Sequence, residues 1–174
     1  MTVRNGIVVL DSRLPSFFGT LLMVYFARAT LRFDGACSPN PGYGGCGWRI
    51  FNDKNGNTIL EGRCYLGSDC TNNIAEYQGL IHALKHLRSS AHRIGHLDIE
   101  GDSEIVIYQL RGTYNVYNQR LKNLNNTVHQ QLAAYQGREF ESYSFRHIDR
   151  ETNWAADGHA KDSLGGDDWE WDYY

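Results

Sequence analysis

Apolar residues follow two rhythms along this chain, and the change of rhythm divides it. From Thr30 to Tyr65 they come in short runs separated by turn residues. Thr30 to Ala36 is one run and carries the carboxylate of Asp34 near its end. Gly44 to Asn52 (GGCGWRIFN) is a second, and Thr58 to Tyr65 a third, with the Asn-Gly turn signal of Asp53 to Asn57 between them. Such runs predict a three-stranded antiparallel meander. Leu66 to Asn72 is polar, holds Gly67 and reads as a loop. From Asn73 the rhythm becomes helical. Ile74, Tyr77, Leu80, Ile81, Leu84 and Leu87 share one face and predict a helix from Asn73 to Ser89. Thr71 or Asn72 would cap its start.

Beyond that helix, strands and helices alternate. Ile94 to Gly101 predicts a fourth strand that ends at Asp102. Ser103 to Gly112 predicts a short helix with Ile105, Val106 and Leu110 inward, and Asn118 to Tyr135 a longer one with Leu121, Leu124, Val128, Leu132 and Tyr135 on one side. Phe140 to Ile148 predicts a fifth strand and Thr152 to Ser163 a last helix, closed by Gly165 and Gly166. The order βββαβααβα predicts an α/β fold: a five-stranded mixed sheet, three strands antiparallel and two parallel, flanked by helices on both faces. In such sheets the site lies beyond the carboxyl ends of the parallel strands.

Length and composition fit this picture. The chain has 174 residues, enough for one domain with its own core. Residues 30–164 form the predicted domain. Residues 1–29 are an extension with an apolar run from Phe17 to Ala27, too short for a membrane span. The extension reads either as an added strand or helix or as a targeting segment ending near Ala27-Arg28-Ala29. Residues 165–174 are an acidic, aromatic tail. Cys37, Cys46, Cys64 and Cys70 form no C-x-x-C pair and read as reduced structural thiols. A monomer inside the cell, cytoplasmic or nuclear, is expected, with organelle targeting by residues 1–29 as the alternative. No stable membrane association is expected.

Net charge is -3, an unpromising value for a polyanion binder. Four of the acids, Asp167, Asp168, Glu170 and Asp172, lie in the tail, and without them residues 1–166 net +1. The body thus suits a weak or transient polyanion binder rather than a tight one.

Four acids stand at matching places: Asp34 in the first strand, Glu76 on the first long helix, Asp102 after the fourth strand, and Asp157 on the last helix. Gathered, they would repel one another unless a hard divalent cation neutralised them. Two such ions about 3.5–4 Å apart can clamp both oxygens of a phosphoryl displacement. On spacing alone, a metal centre and four separately solvated or capping acids both remain open.

The motifs around these acids resemble type 1 ribonuclease H from Leu31 to Leu164. Phe33-Asp34-Gly35-Ala36 with Asn40-Pro41-Gly42 resembles the family's first-strand signature. Thr71-Asn72-Asn73-Ile74-Ala75-Glu76 and Gly101-Asp102-Ser103 resemble its second and third acidic motifs. His147 to Asp157 (HIDRETNWAAD) resembles its closing histidine loop and helix. The resemblance implies endonucleolytic hydrolysis of the RNA strand of RNA–DNA hybrids, leaving 5′-phosphate and 3′-hydroxyl ends. It implies two Mg2+ ions, with Mn2+ as a substitute, held by Asp34, Glu76, Asp102 and Asp157, and His147 handling protons or product release. It implies Asn40, Asn72 and Asn73 on the RNA strand, where an amide can both donate to and accept from a 2′-hydroxyl. It places Thr71 and Asn118 at a DNA-strand phosphate. The alternatives are a non-catalytic hybrid-binding module on the same fold or another metal-dependent nuclease of the superfamily.

Two departures from the family pattern stand out. Asp69 occupies a position where many relatives carry arginine. The segment Arg111 to Leu121 is short and lacks the lysine-rich protrusion of some members, as in the family's compact forms. Hybrid affinity would then lean on Arg32, Arg120, Lys122, Arg146 and Arg150.

Overall fold

A strand of the sequence RATLRFDGA alternates small or apolar residues with polar ones, so its two faces must meet different surroundings. In the computed structural model, which describes residues 2–4, 7–9 and 23–165, this strand is the centre of the sheet. The strands are β1 (Thr2–Arg4), β2 (Ile7–Val9), β3 (Val24–Ser38), β4 (Gly42–Asn52), β5 (Thr58–Cys70), β6 (His92–Gly101) and β7 (Phe140–His147). The helices are α1 (Asn72–Ser89), α2 (Glu104–Leu110), α3 (Gln119–Tyr135) and α4 (Trp154–Asp162). Across the main sheet the order is β5-β4-β3-β6-β7. β3–β4 and β4–β5 pair antiparallel, β3–β6 and β6–β7 parallel. This is the predicted five-stranded mixed sheet. The β1–β2 hairpin adds to it where Ile7 pairs with Val24.

Ala29, Leu31 and Phe33 point to one face, together with their cross-strand partners Asn52, Ile50 and Trp48 and with Leu97 and Ile99 of β6. All of these but Asn52 are essentially sealed from solvent. α1 lies on this face, where Tyr77, Leu80, Leu84 and Leu87 are fully buried. The intervening residues Arg28, Thr30, Arg32 and Asp34 point to the other face, beside Asp98 and Glu100 of β6. Two adjacent glycines show that helices cover both faces. A Cβ on Gly35 would collide with the Glu76 backbone nitrogen of α1, and one on Gly47 would meet Ala160 and His159 of α4. Gly47 pairs with Asp34 and Gly35 with Cys46, so the two glycines face opposite ways.

The element bounds differ most from expectation in three places. β3 starts at Val24, not Thr30, because Val24 to Ala29 pair in parallel with His92 to Leu97. The strand therefore runs unbroken through Ala29, the end of the alternative targeting segment. Leu66 to Cys70 is not a loop but the end of β5, joined to Gly42 and Gly44 through bulges. It is an edge strand, so half of its backbone groups and side chains can face water without apolar alternation. The last helix is split: a 3-10 turn at Arg150–Asn153 precedes α4. The first part of the apolar run at Phe17 and almost the whole acidic tail lie outside the described residues.

Candidate active site

Sheet register alone brings Asp34 and Asp102 together. Arg32 pairs with Glu100 across β3 and β6, so two residues further on Asp34 stands beside Asp102. Glu76 arrives from the opposite face. Its helix can approach the end of β3 because Gly35 has no side chain to hold it off. Thr71 caps that helix, its Oγ1 accepting from the Ile74 amide at 3.4 Å, so Glu76 falls on the second turn. One carboxylate oxygen from each of Asp34, Glu76 and Asp102 lies within 4.8 Å of the other two.

This trio is under electrostatic stress. Asp34 is 5% exposed and Glu76 8%. Burial, then the charge of Asp102, pushes Asp34 up to about 7 from the ordinary 3.8, despite the Gly35 amide donating to it at 2.8 Å. Burial, then the charges of Asp34 and Asp102, pushes Glu76 well above the usual carboxylate range. Glu76 Oε2 is buried and has no hydrogen-bond partner among the described residues. An all-oxygen donor set with an unsatisfied buried oxygen and two carboxyls raised by burial and neighbouring charge fits a hard divalent cation.

Asp157 stands outside this trio, in the first turn of α4. Its charge still contributes to raising Asp34. Arg150 donates to one of its oxygens at 3.0 Å and Lys161 to the other at 2.5 Å. Burial works against its charge, but these two bases outweigh it and hold Asp157 below the usual range. The His147 Nε2 lies 3.1 Å from the Asp102 carbonyl oxygen. A carbonyl can only accept, so Nε2 carries the hydrogen and Nδ1 is left for other work.

One residue at this site was quoted in a motif but given no role by the sequence: Asn153. It is fully buried. Its amide nitrogen donates to the Phe33 carbonyl at 2.9 Å and to Asp102 Oδ1 at 3.0 Å, so it orients the Asp102 carboxylate directly. The available signal was its place, four residues before Asp157 and inside the closing loop.

The residues expected on nucleic acid surround the amino end of α1. Asn40 accepts from the Asn72 amide at 3.3 Å, which docks the β3–β4 loop against that helix. Asn73 lies one position further into the helix. Thr71 caps α1 and Asn118 caps α3, its Oδ1 accepting from the Leu121 amide at 3.1 Å. Ile74, Cys70, Leu121 and Leu124 pack beneath and join the two helix starts.

The basic residues behave differently from expectation. Arg120 binds Asp69 at 2.9 Å through its carboxylate and at 2.7 Å through its carbonyl. Arg32 and Arg146 both bind Glu100, and Arg150 binds Asp157. Four of the five bases offered for hybrid affinity are thus already paired with acids of the same chain. The sequence showed their charges but not their partners.

Comparisons with known proteins agree with this arrangement. The reverse-transcriptase-like family model matches residues 32–163. Ribonuclease HI of Halobacterium salinarum is 35% identical over 139 residues, which are 79% of this chain and 64% of the relative. The chain therefore matches somewhat less than two thirds of that relative's length. The crystal structure of RNase H1 from the same archaeon superposes with a TM-score of 0.71 at 31% identity, over 80% of this chain and 99% of that one. LC11-RNase H1, solved in complex with an RNA/DNA hybrid, gives a TM-score of 0.71 at 29% identity, over 79% of this chain and 96% of that one. On its sequence, its sheet order and its cluster of acids, the chain belongs to the reverse-transcriptase-like family and, within it, to the type 1 ribonucleases H.

Proposed function

We propose that this chain is a metal-dependent endoribonuclease that hydrolyses the RNA strand of RNA–DNA hybrids. The observation that carries the reading is the trio Asp34, Glu76 and Asp102, with oxygens within 4.8 Å at the ends of adjacent parallel strands. Together with Asp157 they would hold two Mg2+ ions, with Mn2+ as a substitute. Bound ions supply a Lewis-acid clamp on the scissile phosphate and an attacking water acidic enough to ionise near neutral pH.

The chain's own residues do the rest. Asp34 would help to hold both ions, and the Gly35 amide fixes one of its oxygens. Asn153 fixes Asp102. His147, with Nδ1 left over, moves a proton at the departing 3′-oxygen or eases product release. Asn40, Asn72 and Asn73 read the 2′-hydroxyls of the RNA strand, and Thr71 and Asn118 receive a phosphate of the DNA strand. Products are a 5′-phosphate and a 3′-hydroxyl.

The test compares end-labelled RNA–DNA hybrid, double-stranded RNA and double-stranded DNA of one sequence, with Mg2+ and with chelator. Cleavage confined to the RNA strand of the hybrid, dependent on Mg2+, supports the reading. Binding of the hybrid without cleavage turns it into a binding module. Cleavage of double-stranded DNA turns it into a different nuclease.

A further inference from the structure

Glu100 is completely buried, ionisable, and has no place in the chemistry just proposed. It lies two residues before Asp102, on the face of the sheet that also carries Asp34. An unpaired carboxylate there would be strongly disfavoured. Both of its oxygens are taken. Oε2 accepts from Arg32 Nε at 2.9 Å, and Oε1 accepts from Arg146 Nη2. Arg32 makes a further bond: its Nη1 donates to the Thr152 carbonyl at 2.8 Å. Its guanidinium also lies over the Phe51 ring, 5.0 Å from the centroid.

The positions of these partners matter more than their number. Arg32 precedes Asp34 by two residues and Glu100 precedes Asp102 by two. Arg146 comes immediately before His147. Thr152 comes immediately before Asn153, which holds Asp102 Oδ1 and the Phe33 carbonyl. One buried carboxylate therefore ties both strands of the site to both ends of the segment that brings His147 and Asn153. Packing does not demand charge here, since the opposite face of the same strands is filled by Leu31, Phe33, Leu97 and Ile99. Buried ion pairs of this kind are often no more stable than apolar replacements.

We infer that Arg32, Glu100 and Arg146 are positioning residues: their paired cluster fixes the 147–153 segment against the ends of β3 and β6 and so holds Asp102 in the geometry that takes a divalent ion. The inference rests on the activity proposed above for its catalytic consequence, but not for its effect on ion binding.

Two variants test it. Arg32→Lys keeps a cation beside Glu100, but one ammonium cannot span both Glu100 and the Thr152 carbonyl as the guanidinium fork does. The double variant Arg32→Leu/Glu100→Leu removes both charges and leaves no unpaired carboxylate behind. Each is read by thermal melting, by the Mn2+ concentration at half-maximal thermal shift without nucleic acid, and by kcat and KM on a labelled hybrid. For Arg32→Lys, kcat falls about tenfold or more while KM stays within about twofold, the signature of misplaced groups rather than lost binding. The Mn2+ half-point rises in both variants, although the double variant melts no lower than the parent. The inference is overturned if folded Arg32→Lys protein keeps the parental kcat and Mn2+ half-point. It is equally overturned if every change in a variant merely follows its melting temperature. Should the parent cleave no hybrid, the proposed activity fails, and the Mn2+ half-point alone still decides the positioning role.

Discussion

Removing a carboxylate from the candidate metal site should make the metal-free protein more stable. Asp34 is the best choice, because its replacement by asparagine keeps the oxygen that accepts the Gly35 amide at 2.8 Å. Its folded value of about 7 lies above the unfolded 3.8. For a raised group, stability is fully present below the unfolded value and is lost as pH climbs through the folded one. The stress therefore grows from about pH 4 and is complete a little above pH 7. Three units at about 1.4 kcal/mol each give about 4 kcal/mol. A second route gives a similar size: two charges 4.8 Å apart repel by about 3 kcal/mol at an effective dielectric constant near 20. Asp34→Asn also relieves Glu76, whose rise owes its second-largest part to Asp34.

At about 2–4 °C per kcal/mol for a domain of this size, about 3–4 kcal/mol makes Asp34→Asn melt about 6–16 °C above the parent at pH 8 in EDTA. Near pH 4 the difference should shrink to almost nothing, since the parent's carboxyl is then protonated. Excess Mg2+ should raise the parent's melting temperature and hardly move the variant's. Scanning calorimetry across this pH range, with and without Mg2+, makes the measurement. Equal or lower melting of the variant at pH 8 in EDTA, with the same pH slope as the parent, would refute the picture of a cluster waiting for a cation.

Two further outcomes follow from side-chain contacts. Asn153→Ala loses two buried hydrogen bonds, to the Phe33 carbonyl and to Asp102, so stability should fall by about 1–3 kcal/mol in denaturant melts. Cleavage should drop further than the fraction unfolded accounts for, because Asp102 loses the Asn153 amide that orients its carboxylate. Asp69→Asn releases Arg120 from its ion pair. Hybrid binding, measured by fluorescence anisotropy against salt, should tighten at low salt, and the log–log slope should steepen by about one phosphate contact.

The sheet and its helices were legible because their signals are local. Ile74, Tyr77, Leu80, Ile81, Leu84 and Leu87 announce α1 by spacing, and five of the six are fully or almost fully buried while Ile74 is 7% exposed. The sequence pattern ends this strand at Tyr65, short of the observed end of β5 at Cys70, because Gly67, Ser68 and Asp69 carry no strand pattern. Their pairing with β4 through bulges makes them a strand, and that pairing is not local. The same divide runs through the site. Asp34, Glu76 and Asp102 could be placed from strand ends and a helix turn. Asn153 could not, because its bonds reach back 120 and 51 residues. Arg32, Arg120, Arg146 and Arg150 looked like a surface for polyanions, since a sequence shows charge without showing which acid absorbs it. Glu100 drew no notice at all, although burial makes it the most constrained acid on that face.

The central claim is that carboxylates gathered at the ends of β3 and β6 perform metal-dependent hydrolysis of a hybrid's RNA strand. Asp102→Asn tests it most directly, since Asn153 and the sheet hold that side chain in place without needing its charge for folding. The measurement is the rate of RNA cleavage in a labelled hybrid at saturating Mg2+, alongside circular dichroism and melting of the same samples. The account predicts a variant that folds and melts like the parent or better, binds hybrid, and no longer cuts it. A folded variant that cleaves at the parental rate would contradict it.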